Sequence, residues 1–232
     1  MRRSQLRDRW ARLLPPRLLR AAALPIGRHL NTADGFIWES ARMLNNAFGY
    51  VFNEHVVGDY AEFGVLEGRT FIEAWMAAER FDLHAMRFHA YDSFAGLPEV
   101  GGVDAAGPFA SGQFASPRSV FEQTTAPIAR ERLTITEGFY DETLPGAERR
   151  PIAVAWIDCD LYESTVPVLE FLTDQLVDGA VLIFDDWFCF HGRPDRGEQL
   201  ALREWQDRHP EIHLVHYRDF HWAGRSFLVN RG

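Results

Sequence analysis

Residues Ile152 to Trp187 read IAVAWIDCDLYESTVPVLEFLTDQLVDGAVLIFDDW. Two short apolar runs, 152–157 and 180–184, each end abruptly in acid: Asp158-Cys159-Asp160 after the first, Asp185-Asp186 after the second. Between them, residues 162–175 carry Val166, Leu169 and Leu172 on a helical spacing that Leu176 continues,. Ser164 and Thr165 are of the types that cap free amides of a first turn, and Asp178-Gly179 supplies a stop,. The unit reads as strand–helix–strand with parallel strands. Both acid clusters then lie at carboxyl ends of strands, the edge where open α/β sheets bind ligands. Four carboxylates on one rim repel one another unless protons or a cation intervene. Hard oxygen donors in that pattern point to a divalent metal, Mg²⁺ above others. A single acid at a strand end is usually a cap or a solvated loop residue; it is the D-x-D and D-D pairing on neighbouring strands that carries the inference.

Working outward, residues 60–65 form a strand, followed by Glu67-Gly68 and a helix over 70–80. A second strand over 87–91 ends at Asp92. Residues 93–117 form a long loop rich in Gly, Ala, Ser and Pro, of the kind that serves as a lid or is a disordered insert,. The spacing predicts a helix over 118–130, a strand over 133–136 ending in Glu137-Gly138, a helix over 198–208, and an antiparallel pair over 213–217 and 226–230. Upstream, 32–57 reads as a helix with Asp34 as its cap and an apolar stripe from Phe36 to Phe52, covering a sheet or an oligomer interface,. The expected fold is an α/β Rossmann-like sheet, mostly parallel with an antiparallel C-terminal strand pair and helices on both faces. It forms one domain over 32–232 behind an extension over 1–31.

The composition narrows the function classes. A net charge of −9 argues against nucleic acid as a partner,. All basic residues are Arg, so no Schiff-base or P-loop lysine exists,. Cys159 and Cys189 are too few for a structural zinc site and read as reduced packing residues of a cytoplasmic protein,. No apolar run is long enough to cross a membrane. The first 29 residues hold eight arginines and one acid, Asp8. Arg20 interrupts what would otherwise be a signal-peptide core, leaving a loose or helical extension or a basic patch for an anionic membrane surface or a partner subunit. A homo-oligomer is expected.

Glu62-Phe63-Gly64-Val65-Leu66-Glu67-Gly68 closes the first strand. A dinucleotide fingerprint would need glycines at 66 and 69, where this chain has Leu66 and Arg69,. A cofactor without phosphates suits the turn better. S-adenosylmethionine has an ammonium that Glu62 or Asp158 can meet, and ribose hydroxyls suited to Asp92. His191 and His221 are candidate bases. Trp187, Phe188, Phe190, Phe220 and Trp222 suit the face of a sugar or an aglycone, or the core.

The segments EFGVLEG, YDSFAGLPE, EGFYDETLP, IDCDLYEST and IFDDW together resemble the macrocin O-methyltransferase family, which modifies sugars of macrolide and aminocoumarin antibiotics. The resemblance runs from about Gly58 to Trp187, with a tail to Asn230. It implies the class I methyltransferase fold, S-adenosylmethionine, a divalent metal, and a small-molecule or glycan acceptor. By resemblance Asp158, Asp185 and Asp186 match metal-binding acids and Asp160 the general base. Glu62, Gly64, Gly68, Thr70, Asp92, Ser93 and Asp158 fall in the cofactor pocket, with Glu137-Gly138 near the adenine. The rival readings are a metal-dependent glycosyltransferase using D-x-D and a non-catalytic binding module of the same fold.

Overall fold

In this computed structural model, residues 33–232 are described. Seven strands form one sheet in the order β3-β2-β1-β4-β5-β7-β6. They are β1 (Asp59–Phe63), β2 (Phe88–Asp92), β3 (Leu133–Glu137), β4 (Ile152–Ile157), β5 (Leu176–Phe184), β6 (Ile212–Phe220) and β7 (Gly224–Arg231). The first five run parallel. β7 pairs antiparallel with both β5 and β6. Six α-helices are described: α1 (Ala33–Asn53), α2 (Arg69–Arg80), α3 (Arg118–Thr124), α4 (Tyr140–Thr143), α5 (Tyr162–Leu172) and α6 (Gly197–Arg208). Ser40–Gly232 forms one compact unit. The basic extension expected over 1–31, and Thr32, lie outside the described residues. So does the side chain of Asp34, whose backbone sits inside α1 instead of ahead of it. No described helix is long and apolar enough to cross a membrane.

The apolar runs explain the central strands. Every residue of β4 is buried, as a strand covered on both faces requires,. Alternate residues feed opposite layers. Tyr60, Val154 and Trp156 join Met43, Phe48, Phe71 and Phe88 on one face. Phe63, Ala155 and Ile157 join Leu169, Phe184 and Trp205 on the other. Strand ends are in register, Phe63 with Tyr91 and Ile157, and Ile157 with Phe184. The residues that follow therefore share one edge. β1 has β2 on one side and β4 on the other, so the chain reverses its winding there and leaves a crevice between their carboxyl ends.

Several boundaries differ from the sequence reading. α5 ends at Leu172 and β5 begins at Leu176, so Asp178-Gly179 lies within the strand and stops nothing. The pairing passes from Ile152–Leu176 directly to Val154–Val181, and the surplus residues of β5 bulge between those points,. α3 stops at Thr124, three residues before Pro127, which cannot continue a helix,. β6 and β7 are longer than expected and join in a hairpin. The cap of α5 is also different. The Thr165 hydroxyl donates back to the Leu161 carbonyl at 2.8 Å. The free Tyr162 amide instead donates to Asp104 Oδ2 at 2.7 Å. Asp104 belongs to the long 93–117 loop, and its other oxygen accepts from the Gly197 amide of α6 at 3.0 Å. The loop is thus bolted to two helix N-termini at this point, a fixed strut more than a free lid.

Candidate active site

The turn after β1 is built by backbone conformations that side chains resist. Gly64 has φ +89° and Gly68 φ +79°. A Cβ on Gly64 would stand 1.9 Å from the Asp158 carbonyl oxygen, so only glycine lets β1 and β4 run this close,. Asp92 then ties the turn together. Its Oδ2 accepts the amides of Val65 at 2.7 Å and Leu66 at 2.9 Å, and its Oδ1 accepts the Phe94 amide at 2.6 Å. A carboxylate has about four acceptor positions, so Asp92 retains little capacity for a ribose beyond this internal work.

The other expected cofactor residues divide. Glu62 is buried, and its carboxylate accepts from the Tyr60 hydroxyl. Burial pushes its carboxyl well above the usual range, the Tyr60 bond opposes this, and Asp185 and Asp92 add to the rise. Asp158 is half-buried at the rim, the better placed of the two for an ammonium group. Ser93 turns into its own loop, donating to the Gly96 carbonyl and accepting from the Ala95 amide. Gly138 continues the edge, its amide on the Asp92 carbonyl. Glu137 pairs with Arg118 at 3.0 Å. Thr70 is half-buried in the first turn of α2. The Gly64 turn, Asp92 and Asp158 thus stand together at the carboxyl edge of β1, β2 and β4, where the winding reverses.

Asp158, Asp160 and Asp186 converge, each offering an oxygen within 4.8 Å of the others. Asp160 reaches the group through a left-handed backbone, φ +60°, a conformation of modest cost for Asp and common at functional sites,. The sequence reading had put Asp185 in this set and Asp160 apart from it. Asp185 lies outside the set of three. It is buried, and its Oδ1 meets His221 Nε2 at 3.1 Å. His221 Nδ1 accepts the amides of Ala223 and Gly224, so the ring proton sits on Nε2 and donates to Asp185,. A ring so engaged is a poor general base. His191, the other candidate, is exposed.

Burial comes first among the causes that raise these carboxyls, and mutual repulsion second. Asp158 is pushed well up by burial and by Asp185, Asp186 and Asp160. Asp160 rises through burial and Asp186. Asp186 rises from 3.8 to about 6 through burial and Asp185, with bonds from Cys189, Asp160 and Asp158 opposing. The Cys189 thiol donates to Asp186 Oδ1 at 3.2 Å, and burial keeps that thiol protonated. Both cysteines are free.

Sequence reasoning missed Glu198. It is buried in the first turn of α6, and its Oε2 accepts the Asp186 amide at 3.1 Å. Its Oε1 is a buried oxygen with no hydrogen-bond partner. The available signal was an acid in the first turn of the helix after the D-D pair. An octahedral Mg²⁺ with oxygens at about 2.0–2.1 Å holds its donors roughly 3–4 Å apart. Three oxygens already within 4.8 Å, all hard donors, fit such an ion after a small closure.

The expected aromatic lining splits as well. Phe190 and Phe220 are core residues. Trp187 packs on Phe184 and Phe227, and the Arg225 guanidinium lies 5.7 Å from its ring centre and 4.8 Å from that of Phe188. Trp222 alone of the five is well exposed, at 69%.

Comparison with known proteins follows the same outline. Residues 38–199 match the model of the macrocin-O-methyltransferase (TylF) family. A Streptomyces olivaceus protein, 8-demethyl-8-(2,3-dimethoxy-alpha-L-rhamnosyl)-tetracenomycin-C 4'-O-methyltransferase, is 34% identical over 148 residues, 59% of this chain and 56% of that protein. The demethyldecarbamoylnovobiocin O-methyltransferase of Streptomyces niveus is 31% identical over 145 residues, 59% and 55% of the two chains. The matched part thus spans a little over half the length of these curated relatives. Among solved structures, the O-methyltransferase NovP superposes with a TM-score of 0.70 at 24% identity, covering 83% of this chain and 80% of its own. The calicheamicin methyltransferase CalS11 gives 0.67 at 24% identity, covering 97% and 91%. These likenesses show the class I methyltransferase fold.

Proposed function

The chain belongs to the macrocin O-methyltransferase family, and on that premise we propose that it moves a methyl group from S-adenosylmethionine to a hydroxyl on the sugar of a natural product, with Mg²⁺ held at the acidic rim. The observation that carries this reading is the meeting of Asp158, Asp160 and Asp186 beside the glycine turn. Both curated relatives are named as O-methyltransferases, one of them of a rhamnosyl-tetracenomycin, which supports a sugar acceptor.

S-adenosylmethionine supplies an electrophilic methyl carbon, whose bond to sulfur breaks as the bond to the acceptor oxygen forms, leaving S-adenosylhomocysteine. Asp158 and Asp186 are the residues that would hold the cation, which supplies charge to offset the acids and to polarise the acceptor hydroxyl. Asp160 takes the hydroxyl proton. General-base catalysis of this kind contributes about 10²–10⁴-fold. The Gly64 turn and Asp158 orient the methyl donor, and alignment of the reacting atoms supplies up to about 7–11 kcal/mol. Asp185, directly after the last residue of β5, is fixed by His221.

Calorimetric titration separates this reading from a glycosyltransferase. S-adenosylmethionine is expected to bind with micromolar affinity or better and nucleotide sugars not at all. Binding of a nucleotide sugar in the absence of any response to S-adenosylmethionine would reverse the assignment.

A further inference from the structure

Glu198 is a buried carboxylate beside the acid cluster that neither the acid motifs nor the mechanism uses. Three observations set it apart. Its side chain is buried, with 2% of the residue exposed. One oxygen, Oε2, fixes the main chain at Asp186 by accepting its amide at 3.1 Å. The other, Oε1, is buried without a hydrogen-bond partner.

Holding the Asp186 amide explains one oxygen but not the other. The first amide of α6, that of Gly197, is already met by Asp104 Oδ1. A buried polar atom left without a partner costs about 1–3 kcal/mol, and more when it carries charge. Glu198 also stands close enough to Asp186, Asp185 and Asp160 to feel their charge. An apolar side chain in its place would avoid both costs. The orphaned oxygen therefore points to something that the described residues do not include.

We propose that Glu198 is a further carboxylate of the cation-binding group beside Asp158 and Asp186, with Oε1 the donor left for a divalent cation, or for water bound to it, while Oε2 holds Asp186 in place. This rests on the cation reading given above and extends it to a residue outside the D-x-D and D-D motifs. It assigns α6 a part in the site: the helix brings in a carboxylate from the sheet face opposite α1 and α2. It also links the long 93–117 loop to the cation, because Asp104 of that loop fixes the amide of Gly197, directly before Glu198.

The test is Mg²⁺ titration by calorimetry of the full chain saturated with S-adenosylmethionine, compared among wild type, Glu198→Gln and Glu198→Asp. The glutamine keeps an acceptor for the Asp186 amide but removes the charge. The aspartate keeps the charge but withdraws it by one methylene. Binding of S-adenosylmethionine in chelator reports folding and is expected to be unchanged in both. Mg²⁺ affinity is expected to fall roughly 10–100-fold in the glutamine variant, the range seen when residues supporting a metal's ligands are lost, and to fall also in the aspartate variant. Wild-type Mg²⁺ affinity in either variant that still binds S-adenosylmethionine would overturn the role of Glu198 alone. Absence of Mg²⁺ binding by the wild type would instead overturn the cation reading, and this inference with it. A merely structural Glu198 would change the melting temperature and leave the Mg²⁺ affinity where it was.

Discussion

Asp104→Ala removes a carboxylate that accepts two main-chain amides, the half-buried one of Tyr162 at 2.7 Å and the buried one of Gly197 at 3.0 Å. Each is the first residue of its helix, so neither amide has an intrahelical partner to fall back on. Hydrogen bonds to a charged group contribute about 1.5–3 kcal/mol each, and loss of an N-cap side chain costs about 0.5–2 kcal/mol. Water entering the space left by Asp104 recovers part of this, so a net loss of about 3 kcal/mol is expected for the pair. At about 2–4 °C per kcal/mol for a unit of this size, the melting temperature should fall by roughly 6–12 °C. Asp104→Asn, which keeps a carbonyl oxygen for one amide, should lose about half as much. Differential scanning calorimetry with S-adenosylmethionine present measures both. The chain segments ahead of the two helices carry Asp158, Asp160 and Asp186, so the alanine variant should also bind Mg²⁺ more weakly. A melting point within about 2 °C of wild type would refute the claim that this loop residue clamps the two acid-bearing segments.

Four further outcomes follow from the same geometry. Gly64→Ala forces a Cβ to 1.9 Å from the Asp158 carbonyl at φ +89°, and the backbone strain alone costs about 1–2 kcal/mol; urea unfolding should show a total loss above that range, and wild-type stability would contradict the close approach of β1 and β4. Asp92→Ala removes three acceptor contacts from the turn, so S-adenosylmethionine affinity and stability should fall together; loss of affinity at unchanged melting temperature would show that Asp92 serves the ligand alone. Asp160→Asn should keep S-adenosylmethionine affinity while turnover drops roughly 10²–10⁴-fold, and full turnover would move the base elsewhere. The last concerns pH. Asp186 has its carboxyl raised from 3.8 to about 6 by burial and Asp185. A raised folded value gives stability that is complete below the unfolded value and lost as pH rises through the folded one. In chelator the melting temperature should therefore decline between about pH 4 and pH 6,, and saturating Mg²⁺ should flatten that decline; a rise over the same interval in chelator would mean that repulsion at the rim is not limiting.

The strand–helix–strand unit was legible because β4 is a run of apolar residues cut off by acid, and burial on both faces demands such a run,. The start of β5 was not. Asp178-Gly179 has the composition of a stop, and only pairing with β4 makes it a bulge inside a strand. Ser164 and Thr165 have cap chemistry, yet the cap comes from Asp104, 58 residues away from Tyr162. No local pattern encodes a contact of that kind. The acids themselves were visible, but their grouping was not. The left-handed backbone at Asp160 swings its carboxylate toward Asp158 and Asp186, while the β6–β7 hairpin delivers His221 to Asp185. Spacing along the chain cannot register either event. Glu198 escaped notice because an acid in the first turn of a helix ordinarily serves that helix.

The central claim, methyl transfer to a sugar hydroxyl at a cation-loaded acidic rim, is tested most directly by following labelled methyl from S-adenosylmethionine into a panel of glycosylated acceptors with and without chelator. The account predicts label on a sugar oxygen of the product, lost in chelator and restored by Mg²⁺. Undiminished transfer in chelator, or label carried on nitrogen or carbon of the acceptor, would contradict it.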